Sequence, residues 1–174
     1  LGDAGLIADI AAGDGGPLAN YDPGRPSAEP IALTLRALDA LPTDARAERI
    51  KVAAARAFWV HRANDPRGPE LADEVVALAR ATGDPATLAG AIATVLHAYQ
   101  RSELSADLDR RTAELEALID QLDLDTLRAP ALWGRSFRIV RSGDLAGWET
   151  TIADLEAEAT RVGWATGVWT ASLH

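Results

Sequence analysis

The chain of 174 residues has no cysteine, no methionine and a single lysine, Lys51, and aromatic residues make up only 5% of it. Without cysteine, neither a disulfide nor a thiolate metal site can form. No apolar run approaches the roughly 20 residues that a membrane-spanning helix requires, and no signal-peptide pattern is present. These absences predict a cytoplasmic protein that makes no contact with a membrane.

Positive charge is scarce as well. The net charge is −9, and nearly all of the cations are arginine. Because nucleic-acid binding depends on cationic surfaces that neutralise phosphates, direct nucleic-acid binding by this chain is not expected. The sequence is 48% hydrophobic and rich in alanine and leucine, with little that favours strands. Such a composition predicts an all-α fold.

The clearest local pattern is a helix, a tight turn and a second helix over residues 70–101. The turn is Thr82-Gly83-Asp84-Pro85, and apolar residues recur at helical spacing on both sides of it. Gly83 suits the position after a helix, Asp84 the N-cap of the next helix and Pro85 its first turn. The stretch therefore predicts an antiparallel helical hairpin.

Similar helix pairs recur along the chain. The predicted N-caps Thr43, Asp84 and Asp125 are about 40 residues apart, and segments 76–89 and 115–128 align without a gap. A helical pair repeated at such a period is typical of an α-solenoid, in which each pair packs on its neighbours. We therefore predict an all-α, tetratricopeptide-like α-solenoid of antiparallel helix pairs with a period of about 40 residues.

The chain divides at a loop that is dense in glycine and proline. Residues 1–26 are predicted to hold a short helix and a Gly/Pro-rich linker, and residues 27–174 the helical repeat domain. The linker lacks the Gly-Lys-Ser/Thr end of a P-loop, which favours a structural role. Because the chain starts at Leu1 without methionine and ends at His174 within an apolar run, we expect a segment of a longer protein, truncated at the C-terminal end of its repeat domain. Helices of the repeat domain are predicted over residues 28–41, 44–63, 70–81, 85–101, 106–122, 125–141, 145–162 and 164–174.

Each predicted helix carries an apolar stripe for burial. Leu35 belongs to the stripe of the helix at 28–41. The stripe of the helix at 70–81 includes Val75, Val76, Leu78 and Ala79, and that of the helix at 145–162 includes Leu145, Leu155 and Ala159. Gly90 and Gly134 lie inside predicted helices, where glycine costs roughly 1 kcal/mol relative to alanine. We expect a neighbouring helix to approach closely at both glycines.

Several segments resemble a known family. Residues 70–89 (ELADEVVALARATGDPATLA), residues 38–42 (LDALP) before residues 45–50 (ARAERI), and residues 142–146 (SGDLA) are similar to the tetratricopeptide-like repeats of actinobacterial regulators. Those regulators are LuxR-type, ATP-binding transcriptional activators of the signal-transduction ATPase class. Related helical arms follow the ATPase modules of adenylate-cyclase-like proteins. The resemblance covers most of the chain beyond the predicted linker.

The resemblance implies the sensor or scaffold arm of such a regulator. In those proteins an ATPase precedes the helical arm and a DNA-binding helix-turn-helix follows it, and this sequence contains neither a Walker A loop nor a basic recognition helix. The arm would bind a partner or inducer and relay that binding to ATPase-controlled oligomerisation. The sequence departs from the repeat pattern at Pro85, which falls one residue late, and its period exceeds the usual length of roughly 34 residues.

No motif for catalysis or metal binding is present. His61, His97 and His174 are too far apart for the HExxH zinc pattern, and no serine lies in GxSxG. His61 lies on an apolar helix face, which favours a packed histidine over a ligand. The carboxylates of residues 106–122 and 145–162 fall mostly on polar helix faces. We therefore predict no enzymatic activity, no catalytic residue, no metal and no cofactor.

Arginine and aromatic side chains that lie off the buried stripes are the candidate binding residues. In a tetratricopeptide-like superhelix the first helix of each pair lines a concave groove, and here the helices at 44–63, 85–101 and 126–141 would do so. A groove lined in this way can bind an anionic ligand or an acidic peptide. Alternatively, the tryptophans pack between repeats and the arginines pair with the many carboxylates. Arg49 and Arg56 also point away from the buried stripe. The candidate ligand- or partner-binding residues are Trp59, Thr94, His97, Arg101, Trp133, Arg135 and Arg138.

These observations predict a non-catalytic helical repeat domain that binds a protein partner or small effector within a larger ATP-dependent transcriptional regulator. One alternative is a passive spacer or oligomerisation scaffold that associates with other copies through its repeat ends. Another is the helical arm of an adenylate-cyclase-like signalling protein. An enzyme would need a pocket with convergent acid–base groups, for which the sequence offers no motif.

Overall fold

The computed structural model describes residues 3–13, 27–99, 105–164, 167, 168 and 171. Over these residues the chain is helical and has no strand, which confirms the all-α prediction. The α-helices are α1 Ala4–Ala12, α2 Ala28–Ala40, α3 Arg46–Arg62, α4 Gly68–Ala81, α5 Pro85–Val95, α6 Ser105–Leu122, α7 Arg128–Ser142 and α8 Leu145–Arg161. A 3-10 turn at Leu96–Tyr99 follows α5, and another at Asp125–Leu127 precedes α7.

The chain forms two compact units, Leu1–Ala98 (unit 1) and Tyr99–His174 (unit 2). Most of the predicted linker, residues 14–26, lies outside the described residues, as does most of the helix predicted over 164–174.

The turn between α4 and α5 lies where the sequence predicts that one helix ends and the next begins. Gly83 has a φ of 72°, in the left-handed region that glycine adopts without strain. The Asp84 carboxylate accepts hydrogen bonds from the backbone N–H groups of Ala86 and Thr87, at 3.2 and 3.0 Å. Pro85 is the first residue of α5, where no N–H is required.

The other two predicted N-caps are wrong. A tight turn, in which the Ala45 N–H donates to the Pro42 carbonyl, delays the start of α3 to Arg46, so Thr43 does not cap it. Asp125 opens a 3-10 turn, and α7 starts only at Arg128. There the Asp125 carboxylate accepts a hydrogen bond from Arg128 Nε, at 2.7 Å, and not from a backbone N–H of α7.

In unit 1 the central element is α3, which packs against α1, α2, α4 and α5. Three of its eight buried residues are alanine, which lets neighbouring backbones lie close to it at those positions. Gly68, at the start of α4, shows this approach: a Cβ there would lie 2.8 Å from His61 Cα on α3. The α3–α4 hairpin is therefore packed closely at the end where its two helices are joined.

In unit 2, α7 packs against both α6 and α8. A Cβ at Gly134 of α7 would lie 2.4 Å from Thr112 Oγ1 on α6, which confirms the close approach predicted at this glycine. The same prediction for Gly90 is wrong, because no atom of another helix in the described structure lies within 4 Å of a Cβ placed there. Arg135 pairs with Glu116 at 2.6 Å and adds a charged contact between α6 and α7.

The predicted buried stripes are correct in part. Val75, Val76, Ala79, Leu155 and Ala159 are buried as predicted. Three leucines assigned to the same stripes are instead open to solvent in the described structure: Leu35 is 41%, Leu78 58% and Leu145 74% exposed.

Candidate functional site

A groove of about 460 Å³ opens in unit 1 over α3, between the end of α2 and one face of α4. Its apolar lining includes Leu38 from α2, Ile50 and Ala53 from α3, and Leu71 and Leu78 from α4. Leu78 is the groove residue that was predicted to be buried and is exposed. The groove thus presents the exposed Leu78 to solvent beside the half-buried Leu38 and Leu71.

Helical periodicity explains how these side chains meet. Arg46, Arg49, Ala53 and Arg56 are three, four and three residues apart, so they lie on one face of α3. On α4 the groove residues Leu71, Glu74, Val75 and Leu78 follow the same spacing. The two faces adjoin because α3 and α4 pack against each other along the hairpin.

The groove has a positive charge balance in an acidic chain. Three arginines and one carboxylate, that of Glu74, line it, whereas the whole chain carries a net charge of −9. Glu74 is exposed and solvated. An anionic group that enters this groove therefore meets a more favourable potential than it meets on most of the acidic surface.

The three arginines have different environments. Arg49 donates from Nη1 to the carbonyls of Leu38 and Leu41, at 2.7 and 2.9 Å, and so caps the C-terminal end of α2. Arg46 is exposed. Arg56 is half-buried, and its buried Nε has no hydrogen-bond partner among the described residues. Of the three, Arg56 is the cation that combines partial burial with an unused donor.

The residues predicted as a binding surface are divided between the two units. Trp59 in unit 1 is only 6% exposed and packs edge-on against Phe58, with ring centroids 5.0 Å apart. Thr94, also in unit 1, is half-buried and donates from Oγ1 to the Gly90 carbonyl at 2.9 Å. Trp133 in unit 2 is 5% exposed.

The remaining predicted site residues have varied surroundings. Arg135 is half-buried and paired with Glu116, and Arg138 is exposed. The side chain of His97 and the whole of Arg101 lie outside what the structure describes. Of the predicted candidates whose side chains the structure describes, therefore, none lines the groove of unit 1.

The sequence carries a signal for the groove in addition to the predicted site residues. Arg49 and Arg56 are seven residues apart on α3, and Leu71 and Leu78 are seven apart on α4. Seven residues are two helical turns, so each pair marks one face of its helix. The signal was incomplete because periodicity does not show that these two faces meet at a gap.

The carboxyl groups with lowered pKa values lie at loops and helix ends outside the groove. In the α3–α4 connection, a side-chain hydrogen bond from Arg67, supported by the Arg67 backbone N–H, lowers the pKa of Asp65 to about 2. Hydrogen bonds from the Thr87 side chain and backbone lower the pKa of Asp84. A hydrogen bond from Arg161 lowers the pKa of Glu158 on α8. All three shifts favour the ionised carboxylate of a surface cap or ion pair.

Groups that could hold a metal ion and helices that could span a membrane are both absent from the described residues. No group of three or more histidine or acidic side chains there is arranged to hold a metal ion. No helix in the same part of the chain combines the length and apolar character that crossing a membrane requires.

Comparisons of the chain with protein-family models, with curated proteins and with solved structures found no match.

Proposed function

We propose that this chain is a non-catalytic binding domain of a larger ATP-dependent transcriptional regulator, and that it takes a protein partner or small effector in the groove of unit 1. The observation that carries the proposal is the groove, where the exposed Leu78 and the half-buried Arg56 lie in one depression. Exposed apolar side chains beside a cation that lacks a partner are typical of a surface that a ligand covers.

The packing of unit 1 supports a repeat arrangement. α3 contacts α1 and α5 as well as α2 and α4. A helix with neighbours on both sides is what stacked helix pairs require, because each pair buries its apolar faces on the next. We propose on this basis that the helices of unit 1 belong to a tetratricopeptide-like stack, with the groove formed where α2 and α4 diverge over α3.

The second candidate function is a passive spacer or oligomerisation scaffold. Leu6 and Ile10 favour it, since they lie one turn apart on α1 and are 58% and 61% exposed. A spacer needs no ligand, so it predicts that changes in the groove leave the regulatory output of the parent protein intact.

A charge placed in the groove separates the two functions. We expect Leu78→Glu in the full-length parent to reduce the induced output of a transcriptional reporter at least about tenfold, because truncating or charging a central apolar contact weakens binding strongly. Leu145→Glu is the matched control, since Leu145 is an exposed leucine on α8 of unit 2 and is not a lining residue of the groove. Equal reporter output for the two variants and the unchanged protein would rule out the groove as the site of signal binding.

A further inference from the structure

We infer that the ligand of the groove is an amphiphilic organic anion, with a carboxylate held by Arg56 and an apolar body held by Leu38, Leu71 and Leu78. The inference rests on the proposed binding function and specifies the class of ligand. It follows from three properties of the groove, namely which arginine is available, how the lining is composed and how large the space is.

Arg56 is the anchor because the other two arginines are engaged or solvated. Arg49 already donates to two backbone carbonyls of α2, so moving it would uncap that helix. Arg46 is exposed, and water competes fully for its donors. Arg56 is half-buried, with an Nε that is shielded from water and has no partner in the described structure. A buried donor without an acceptor is energetically costly, and a carboxylate oxygen held by this guanidinium would satisfy it.

The lining fits an apolar body beside that charge. Leucines stand on both walls, Leu38 on α2 and the pair Leu71 and Leu78 on α4, with Ile50 and Ala53 on α3 between them. Besides the arginines, the polar lining residues are Thr43, Glu74 and Thr82, and the Thr82 hydroxyl already donates to the Ala79 carbonyl of its own helix. A sugar or a nucleobase usually requires several placed polar groups, so this lining suits it less well than it suits an apolar body. An alkyl chain or an aromatic ring would instead cover these leucines and remove their surface from water.

The size of the groove favours a small molecule over a peptide. Its volume of about 460 Å³ falls within the range of ordinary small-ligand sites, roughly 300–1,000 Å³. Arg46 and Arg56 are ten residues apart on α3, a distance of about 15 Å along the helix axis. That span holds a medium-length alkyl carboxylate. A single available guanidinium also matches one carboxylate better than the several charges of a polyphosphate.

Isothermal titration calorimetry with sodium octanoate and its uncharged counterpart octanol tests the proposal. We expect the unchanged chain to bind octanoate at least about tenfold more tightly than octanol. Arg56→Gln should remove that preference and leave octanol binding unchanged, since Arg56 is proposed to bind the carboxylate and the leucines the alkyl chain. Arg138→Gln, which alters an exposed arginine on α7, should keep the full preference. Lengthening the alkyl chain should tighten binding by at most about fourfold per methylene.

Circular dichroism spectra of each variant ensure that only folded protein is compared. A preference for octanoate that survives Arg56→Gln would overturn the assigned anchor. Absence of octanoate binding to the unchanged chain would overturn the ligand class, and binding of an acidic amphipathic peptide in its place would show that the groove takes a protein segment. Either failure differs from a failure of the proposed function, because the Leu78→Glu reporter experiment would still show whether the groove carries the signal.

Discussion

Arg49 and Arg56 lie on the same face of α3, and the sequence pattern does not distinguish them. In the structure, however, they have different roles. They lie two turns apart on α3 and both line the groove. Arg49 reaches the C-terminal carbonyls of α2, which ends beside it, while Arg56 meets no acceptor in the described structure. The difference comes from where α2 stops at Ala40 and not from any property of α3.

Arg49 is therefore expected to stabilise unit 1. Arg49→Met keeps most of the apolar stem but removes two hydrogen bonds to the carbonyls of Leu38 and Leu41. We expect a loss of about 1–3 kcal/mol in the free energy of unfolding, measured by urea denaturation. Arg36→Met is the matched control, because Arg36 is an exposed arginine on α2. Equal stability of the two variants would contradict the capping role of Arg49.

Asp65 gives the chain a local pH dependence. Its pKa is lowered to about 2 in the folded protein by Arg67, below the ordinary aspartate value of roughly 3.9. Because the folded pKa is the lower one, the stabilisation by this ion pair is complete above about pH 4 and is lost as the pH falls through about 2. Carboxyl-carbon NMR titration of Asp65 should show a midpoint near pH 2, and Arg67→Gln should raise that midpoint towards 4. A midpoint near 4 in the unchanged protein would contradict the pairing.

At the residue scale, prediction from sequence works where the interaction is local. The Asp84 cap could be predicted because its partners, Ala86 and Thr87, are within three residues. Arg49 could not, because its acceptors belong to a different helix. The half-buried position of Arg56 has the same cause, since burial depends on which helices surround α3.

At the scale of the helix, Gly134 and Gly90 are a matched pair of glycines inside helices with different surroundings. The first faces Thr112 of α6, whose Oγ1 is buried and has no hydrogen-bond partner in the described structure. The second faces open space among the described residues. The same substitution should therefore have opposite effects at the two positions.

We expect Gly134→Ala to destabilise the protein by about 1–3 kcal/mol, because the new methyl group would overlap Thr112. Gly90→Ala should instead stabilise it by up to about 1 kcal/mol through helix propensity. Urea denaturation of both variants measures the difference. Adding Thr112→Ala to Gly134→Ala should restore part of the lost stability, since it removes Oγ1 and Cγ2 and sacrifices no hydrogen bond. Destabilisation of similar size at both glycines would contradict this account of the packing.

Helix boundaries show where sequence patterns fail at this scale. The regular spacing of Thr43, Asp84 and Asp125 suggested three equivalent caps, yet only Asp84 accepts from the N–H groups of a following α-helix. The turn at Pro42 and the 3-10 turn at Asp125–Leu127 each shift a helix start by a few residues. Backbone turns of this kind depend on local geometry that cap preferences alone do not contain.

At the scale of the whole molecule, the all-α class followed directly from composition and periodicity, whereas the candidate site did not. Leu78 satisfies the apolar pattern of α4 as well as Val76 does, but Val76 is fully buried in unit 1 and Leu78 opens into the groove. Periodicity assigns side chains to a helix face, and only the arrangement of α2, α3 and α4 decides whether that face meets another helix or a gap. The tetratricopeptide-like stacking and its period remain proposals.

The central claim is that the binding capacity of this chain lies in the groove of unit 1. Methyl NMR of the 174-residue chain, titrated with sodium octanoate, tests it most directly. We expect saturable shifts at the methyl groups of Leu38, Leu71 and Leu78, with those of Leu115 and Leu155 in unit 2 unchanged. Saturable shifts in unit 2 without shifts at the groove leucines would contradict the account, whereas an absence of shifts throughout the chain would contradict only the assigned class of ligand.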